Sequence, residues 1–292
     1  MQLTPILLLV MVFSFSLVQA NETLSARSIM DKVDAQQREA ADATLSKSRL
    51  SSCSFVIKNR KVVCTEAPRV KLMESVSRQL GPDKKDNQTI SIILEPASER
   101  GIGMLTYSYD DAQKDTESWL YLSALGKVKR MASGSGEDQE PVSLFGSEFT
   151  TEDMESGKTD EYDYKILQEG PYSGNQVWVI EATPKPIRLK QTNYSRLLIW
   201  VDQTRLLALK VQAYDKRGAL HKRTVFKQFE KIEETWISRD LTVYNLKIKR
   251  LSKMKTEKLA MNIDVENSFL TQRSLTDFAY REKTLAALRK FF

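Results

Sequence analysis

Tyr194-Ser195-Arg196-Leu197-Leu198-Ile199-Trp200-Val201 runs into the polar turn Asp202-Gln203-Thr204-Arg205. Leu206 to Tyr214 then runs into Asp215-Lys216-Arg217-Gly218, and Ala219 to Phe229 into a polar stretch near Glu230 to Glu234. Trp236 to Leu246 and Glu257 to Val265 read as further strands. Turn signals every 8–12 residues mean antiparallel neighbours joined by hairpins, and such a run builds a sandwich, a barrel or one large curved sheet. Upstream, Gln176 to Ala182 alternates after the turn Pro171-Tyr172-Ser173-Gly174-Asn175, Thr89 to Leu94 is stopped by Pro96, and Met104 to Tyr109 ends at Asp110-Asp111. Ile29, Met30 and Val33 share one helical face, predicting a helix around Ser25 to Val33. From Thr276, Phe278, Ala279, Leu285, Leu288, Phe291 and Phe292 recur at helical spacing, which predicts a helix at the end of the meander.

The 292 residues are 41% hydrophobic and 28% charged, an ordinary globular composition. The 44 basic and 38 acidic side chains all follow residue 20. Ile6 to Val18 is apolar, and Val18-Gln19-Ala20 is a small-x-small cleavage pattern, so residues 1–20 read as a signal peptide cut after Ala20. The compartment expected from this is an oxidising one reached by export, with residues 21–292 as a single domain; Ser133 to Pro141, rich in Gly, Ser and acids, is too short for a domain linker. In an oxidising compartment Cys53 and Cys64 flank two short strands and a turn. They would face each other across that hairpin, which predicts a disulfide; two buried free thiols are the other reading.

Charge is uneven. Asp110 to Glu169 holds 15 acidic and 6 basic residues, net −9, and Arg205 to Lys258 holds 15 basic and 6 acidic, net +9. The basic strands read either as a solvated outer sheet face or as a surface for anionic headgroups or an acidic partner; nucleic acid is not expected for an exported protein. No H-E-x-x-H, P-loop or G-x-G-x-x-G occurs, two Cys do not make a four-Cys zinc site, and His221, the lone His, sits beside Lys222 and Arg223 and is expected to be solvent-exposed. The expectation is a binding protein, not an enzyme, with no catalytic residues, metal or cofactor. An outer-membrane barrel ending at Phe292 conflicts with Lys247, Lys249 and Arg250 on opposite-facing positions.

Two segments carry a resemblance. Trp119-Leu120-Tyr121-Leu122-Ser123-Ala124-Leu125-Gly126-Lys127-Val128-Lys129-Arg130-Met131 is followed by Phe145-Gly146-Ser147-Glu148-Phe149-Thr150-Thr151-Glu152-Asp153-Met154. Together they resemble the W-L-Y-L-P-A-L-x-R-V-R-R and F-x-G-S-D-F-x-Y-E-D-[LM] segments of the LolA-like outer membrane lipoprotein-sorting family. Ser123, Glu148 and Thr151 depart from that pattern, and Gly126-Lys127 stands where an Arg is common. The resemblance implies an α+β fold: an unclosed, curved antiparallel half-barrel with helices covering an apolar cavity. It implies a carrier in the periplasm that binds the acyl chains of a lipid or lipoprotein and moves them toward the outer membrane. Partners would be an inner-membrane exporter or outer-membrane acceptor, with transient membrane-surface contact; a non-enzymatic accessory or sensor module docking on an exporter or signalling protein is the alternative. Candidate cavity or lid residues are Trp119, Tyr121, Phe145, Phe149 and Met154, with Lys127, Lys129 and Arg130 for a headgroup or partner. If Gly146 to Met154 forms a helical lid, Phe145 and Phe149 share a face and Thr150 or Thr151 caps the turn at Glu152-Asp153.

Overall fold

β1 (Ala43–Lys58) and β14 (Arg250–Met261), near opposite ends of the chain, lie side by side at the centre of the sheet in this computed structural model, which describes residues 24–131 and 142–292. The expected signal peptide and the Ser133–Pro141 loop lie outside those residues. From β1 the sheet extends through β3 (Arg69–Leu80), β4 (Asp86–Glu95), β5 (Gly103–Ser108), β6 (Glu117–Leu122) and β7 (Lys127–Met131). From β14 it extends the other way through β13 (Thr235–Asn245), β12 (Leu220–Ile232), β11 (Ala208–Asp215), β10 (Tyr194–Asp202), β9 (Asn175–Pro184) and β8 (Tyr162–Tyr172). Neighbours are antiparallel throughout, and the edge strands β7 and β8 do not meet, so the half-barrel is unclosed as the resemblance implies. β2 (Lys61–Cys64) pairs only with the far end of β1, off this path, and the Cys53–Cys64 disulfide is formed at the base of that ribbon.

Period-two alternation sends two different residue sets to the two faces. On the outer face Leu45, Val76, Ile90, Ile92 and Leu105 are buried beneath Phe269, Leu270, Leu275, Leu285 and Leu288 from α3 (Gln272–Thr276), α4 (Phe278–Leu288) and the turn before them. Each such side chain contributes about 1.5–3 kcal/mol on burial. The approach is close at Gly103, where a Cβ would lie 2.7 Å from Ile92 Cδ1 and 2.8 Å from Leu275 Cδ2. The terminal helix is thus present but broken at Asp277, whose carboxylate accepts from the Tyr280 N–H to start α4.

On the inner face α1 (Ala26–Glu39) buries Ala26, Ile29 and Met30 against Ile180, Ala182, Ile199 and Val201 of β9 and β10. Ser25 caps it by accepting from the Ser28 N–H. The last strand is Arg250–Met261, not Glu257–Val265, because Lys253, Lys255 and Lys258 interrupt its apolar pattern.

Candidate functional site

The inner face of β1, β3, β4 and β5 carries hydroxyls where an ordinary core would carry aliphatic groups. Thr44, Ser77, Thr89, Thr106 and Ser118 are successive cross-strand partners, making one row across five strands. Ser46, Ser75 and Ser91 make a second row that ends at Met104. Directly opposed side chains in such a sheet are close enough to bond each other. Ser75 and Ser91 hydroxyls are 2.7 Å apart, Ser77 and Thr89 2.8 Å, and Asn87 Nδ2 donates to Ser77 Oγ at 2.9 Å. Ser108 Oγ is buried on the same face without a partner.

These rows floor a groove of about 410 Å³, within the range of small-molecule sites. Its walls are Gln37 and Ala40 at the end of α1, Ile237 of β13, and Met73, Met104, Met154, Met254 and Met261. Five of the chain's nine methionines therefore surround it, and unbranched thioethers adapt to irregular contents. The cavity expected to be apolar has apolar walls over a hydroxyl floor.

A strap, residues 142–156, crosses the inner face above this groove. It is not helical: Phe145 and Gly146 both have positive φ (50° and 73°), making a tight reversal, and only Glu152–Met154 forms a single 3-10 turn. Phe145 and Phe149 nonetheless point together into a cluster with Leu50, Met73, Ile93 and Val243, Phe149 being 2% exposed. Thr150, not Thr151, caps the turn: Asp153 N–H donates to its hydroxyl, and Asp153 Oδ2 accepts from the Thr150 N–H.

The acids of the strap fasten it. Lys222, 4% exposed, donates through Nζ to Asp153 Oδ2 at 2.6 Å and to Glu148 O at 3.0 Å. Tyr194 OH donates to Asp153 Oδ1 at 2.6 Å, and burial beside the Asp153 charge pushes that phenol well above its ordinary pKa. Asn245 Nδ2 donates to Glu148 Oε2 at 2.8 Å, and Arg250 pairs with Glu148 Oε1 at 3.2 Å. On α2 (Pro186–Leu189) the buried Arg188 pairs with Glu155 at 2.7 Å and lies 4.0 Å from Glu152, whose carboxyl is raised by burial. The acidic and basic stretches of the sequence therefore partly neutralise each other inside the molecule.

The other candidates are divided among several places. Met154 lines the groove and is 43% exposed. Phe145 also lines a second cavity of about 370 Å³ with Ile93, Leu120 and the Lys71–Glu99 ion pair. Trp119 and Tyr121 are on the outer face, packed beside the C-terminal helices, with Trp119 edge-on to Tyr107 at 5.0 Å. Lys127, Lys129 and Arg130 are exposed on the edge strand β7, and Arg130 pairs with Glu117. His221, expected exposed, is half-buried beside Tyr194, and burial and then Lys222 lower its pKa. Among the described residues no group of His, Cys, Asp and Glu is placed to hold a metal ion. The hydroxyl rows escaped the sequence reading, although Thr44/Ser46/Ser48, Ser75/Ser77, Thr89/Ser91 and Thr106/Ser108 display them at every second position.

The unclosed antiparallel half-barrel is a LolA-like fold. A crystal structure of a DUF1329 family protein from Desulfovibrio piger ATCC 29098 matches with a TM-score of 0.73 and 25% identity, covering 87% of this chain and 100% of that one. A domain from Vibrio parahaemolyticus, described as an outer membrane lipoprotein-sorting protein, matches with a TM-score of 0.68 and 23% identity over 83% and 97%. A LolA superfamily protein from Nitrosomonas europaea matches at 0.61 and 18% over 85% and 98%. No curated protein matches the chain. A family model described only as "-like: Uncharacterized protein" matches residues 85–277, more than half of the chain, and the chain belongs to that family.

Proposed function

We propose that this protein is a non-enzymatic periplasmic carrier, exported by a signal peptide cut after Ala20, that holds the acyl part of a lipid or lipoprotein and moves it toward the outer membrane. The observation that carries this reading is the groove itself: five methionines and a strap border a space of about 410 Å³ on an unclosed half-barrel. The fold shared with the Vibrio lipoprotein-sorting domain supports it. Hydroxyls that bond each other can face an acyl chain without stranding polar groups. The unpartnered Ser108 hydroxyl is left to meet an ester or amide carbonyl at the head of the chain. Lys127, Lys129 and Arg130, exposed on β7, would meet a headgroup or an acceptor's acidic surface.

The test is organic extraction of the exported protein, purified without delipidation, followed by mass spectrometry. An acyl lipid in stoichiometric amount is expected, and Met154→Asp should reduce it severalfold with the circular dichroism spectrum unchanged. Absence of lipid under every loading condition would sink the proposal.

A further inference from the structure

The β1–β2 ribbon projects from the sheet and is exposed on both sides. Val56 opposes Val63, and Ile57 opposes Val62. Adjacent pairs in a two-stranded ribbon face opposite ways, so each face of the ribbon presents an aliphatic pair to solvent. Ile57 is 65% exposed, and the three valines are 39–43% exposed. The turn adds Lys58, Arg60 and Lys61. Alongside lies the β13–β14 turn, where Lys249 O accepts from the Phe55 N–H at 2.8 Å. That turn contributes Lys247, Lys249 and Ile248, which is 54% exposed. Among the described residues none of these five cations forms an ion pair. The acid nearest in sequence, Glu66, is occupied by the Ser54 N–H and the Thr65 hydroxyl. The Cys53–Cys64 disulfide staples the base of the ribbon.

We propose that this ribbon docks the protein on an anionic phospholipid bilayer, lying within the headgroup layer. A protein groove covers one face of a strand pair, whereas lipid wets both, and both faces here are aliphatic. The cations reach phosphates while the aliphatic side chains enter the acyl boundary. The depth is limited, because the outer edge of β2 has no pairing strand and its backbone groups cannot be left bare in hydrocarbon. The ribbon is distinct from the groove: Ser48 and Val56 are separated along β1 by about 26 Å.

The experiment is flotation and titration of the exported protein with vesicles of three parts phosphatidylcholine to one part phosphatidylglycerol, and with pure phosphatidylcholine. Binding to the anionic vesicles is expected, weakening as salt rises. Ile57→Asp with Val62→Asp should lower the affinity at least tenfold, and Lys58→Gln, Arg60→Gln and Lys61→Gln together should abolish the anionic preference. The ribbon is exposed and disulfide-bonded, so both variants should keep the parent circular dichroism spectrum and no free thiol. No vesicle binding by the parent, or equal binding by parent and both variants, would overturn the proposal; a parent indifferent to both vesicles would leave the free edge of β2 to a protein strand. Lipid recovered from the groove is a separate readout, so failure of this proposal does not touch the carrier reading.

Discussion

The strap and the groove floor both place polar side chains on the groove, yet they solve opposite problems. The strap's carboxylates are held by cations and a phenol from β10, β12 and α2, which leaves them one arrangement. The floor's hydroxyls bond one another and Asn87 on the same face, with Ser108 left unpartnered, which leaves a continuous surface open to something else. Buried polarity that is fully cross-linked to distant elements fastens a fold. Buried polarity that is satisfied within one face leaves room for a ligand.

Three measurements would break or sharpen that contrast. The largest effect is expected at Lys222→Ala, which strands the buried Asp153 carboxylate and should cost about 3–5 kcal/mol in denaturant unfolding; a loss below 1 kcal/mol would mean the strap is not fastened there. Next, Ser91→Val alone leaves Ser75 without its partner and should cost about 1–3 kcal/mol, whereas Ser75→Val with Ser91→Val should be nearly neutral. A double variant less stable than the single one would contradict a self-satisfied floor.

The smallest effect concerns a half-buried cation. Lys210 lies over Trp200 at 3.2 Å and over Tyr172 at 4.5 Å, with no carboxylate partner among the described residues. Burial, then the Arg223 charge, brings its pKa down to about 8. Between pH 8 and the ordinary lysine range the unfolded chain holds a proton that the folded chain has lost, so stability should rise with pH across that window. Lys210→Met should flatten the rise; an identical slope in parent and variant would assign it to other groups.

The sequence was legible where one sheet face is aliphatic. β9 to β11 show plain alternation because their inner face belongs to the cluster around α1, and Gly174-Asn175, Asp202 and Asp215 to Gly218 mark turns beside them. β3 was invisible because Ser75 and Ser77 occupy the positions that aliphatic residues would hold on an ordinary inner face, and the same substitution hid the groove. The strap motif was legible as a resemblance, but its fastening role was not. A run as acidic as Glu148 to Glu155 reads as solvated until Lys222 and Arg188, distant in sequence, are seen to meet it. Trp119 and Tyr121 illustrate the period-two limit: alternation separates two faces without saying which one holds the cavity.

The seam between β1 and β14 has a consequence for synthesis. Ser48 and Thr256, which bond across it, are 208 residues apart, and closing a loop of that length costs on the order of 5 kcal/mol of chain entropy. Every other strand on the main path pairs with a neighbour in the chain or, for β3, with one only a short ribbon away. A ribosome therefore delivers β3 to β13 in an order that lets each find its partner soon after it emerges. One edge of β1, sixteen residues long, stays bare until the last strand is made. A chain kept unfolded until it is complete escapes that hazard, and one allowed to fold as it grows carries an open, sticky edge for most of its birth.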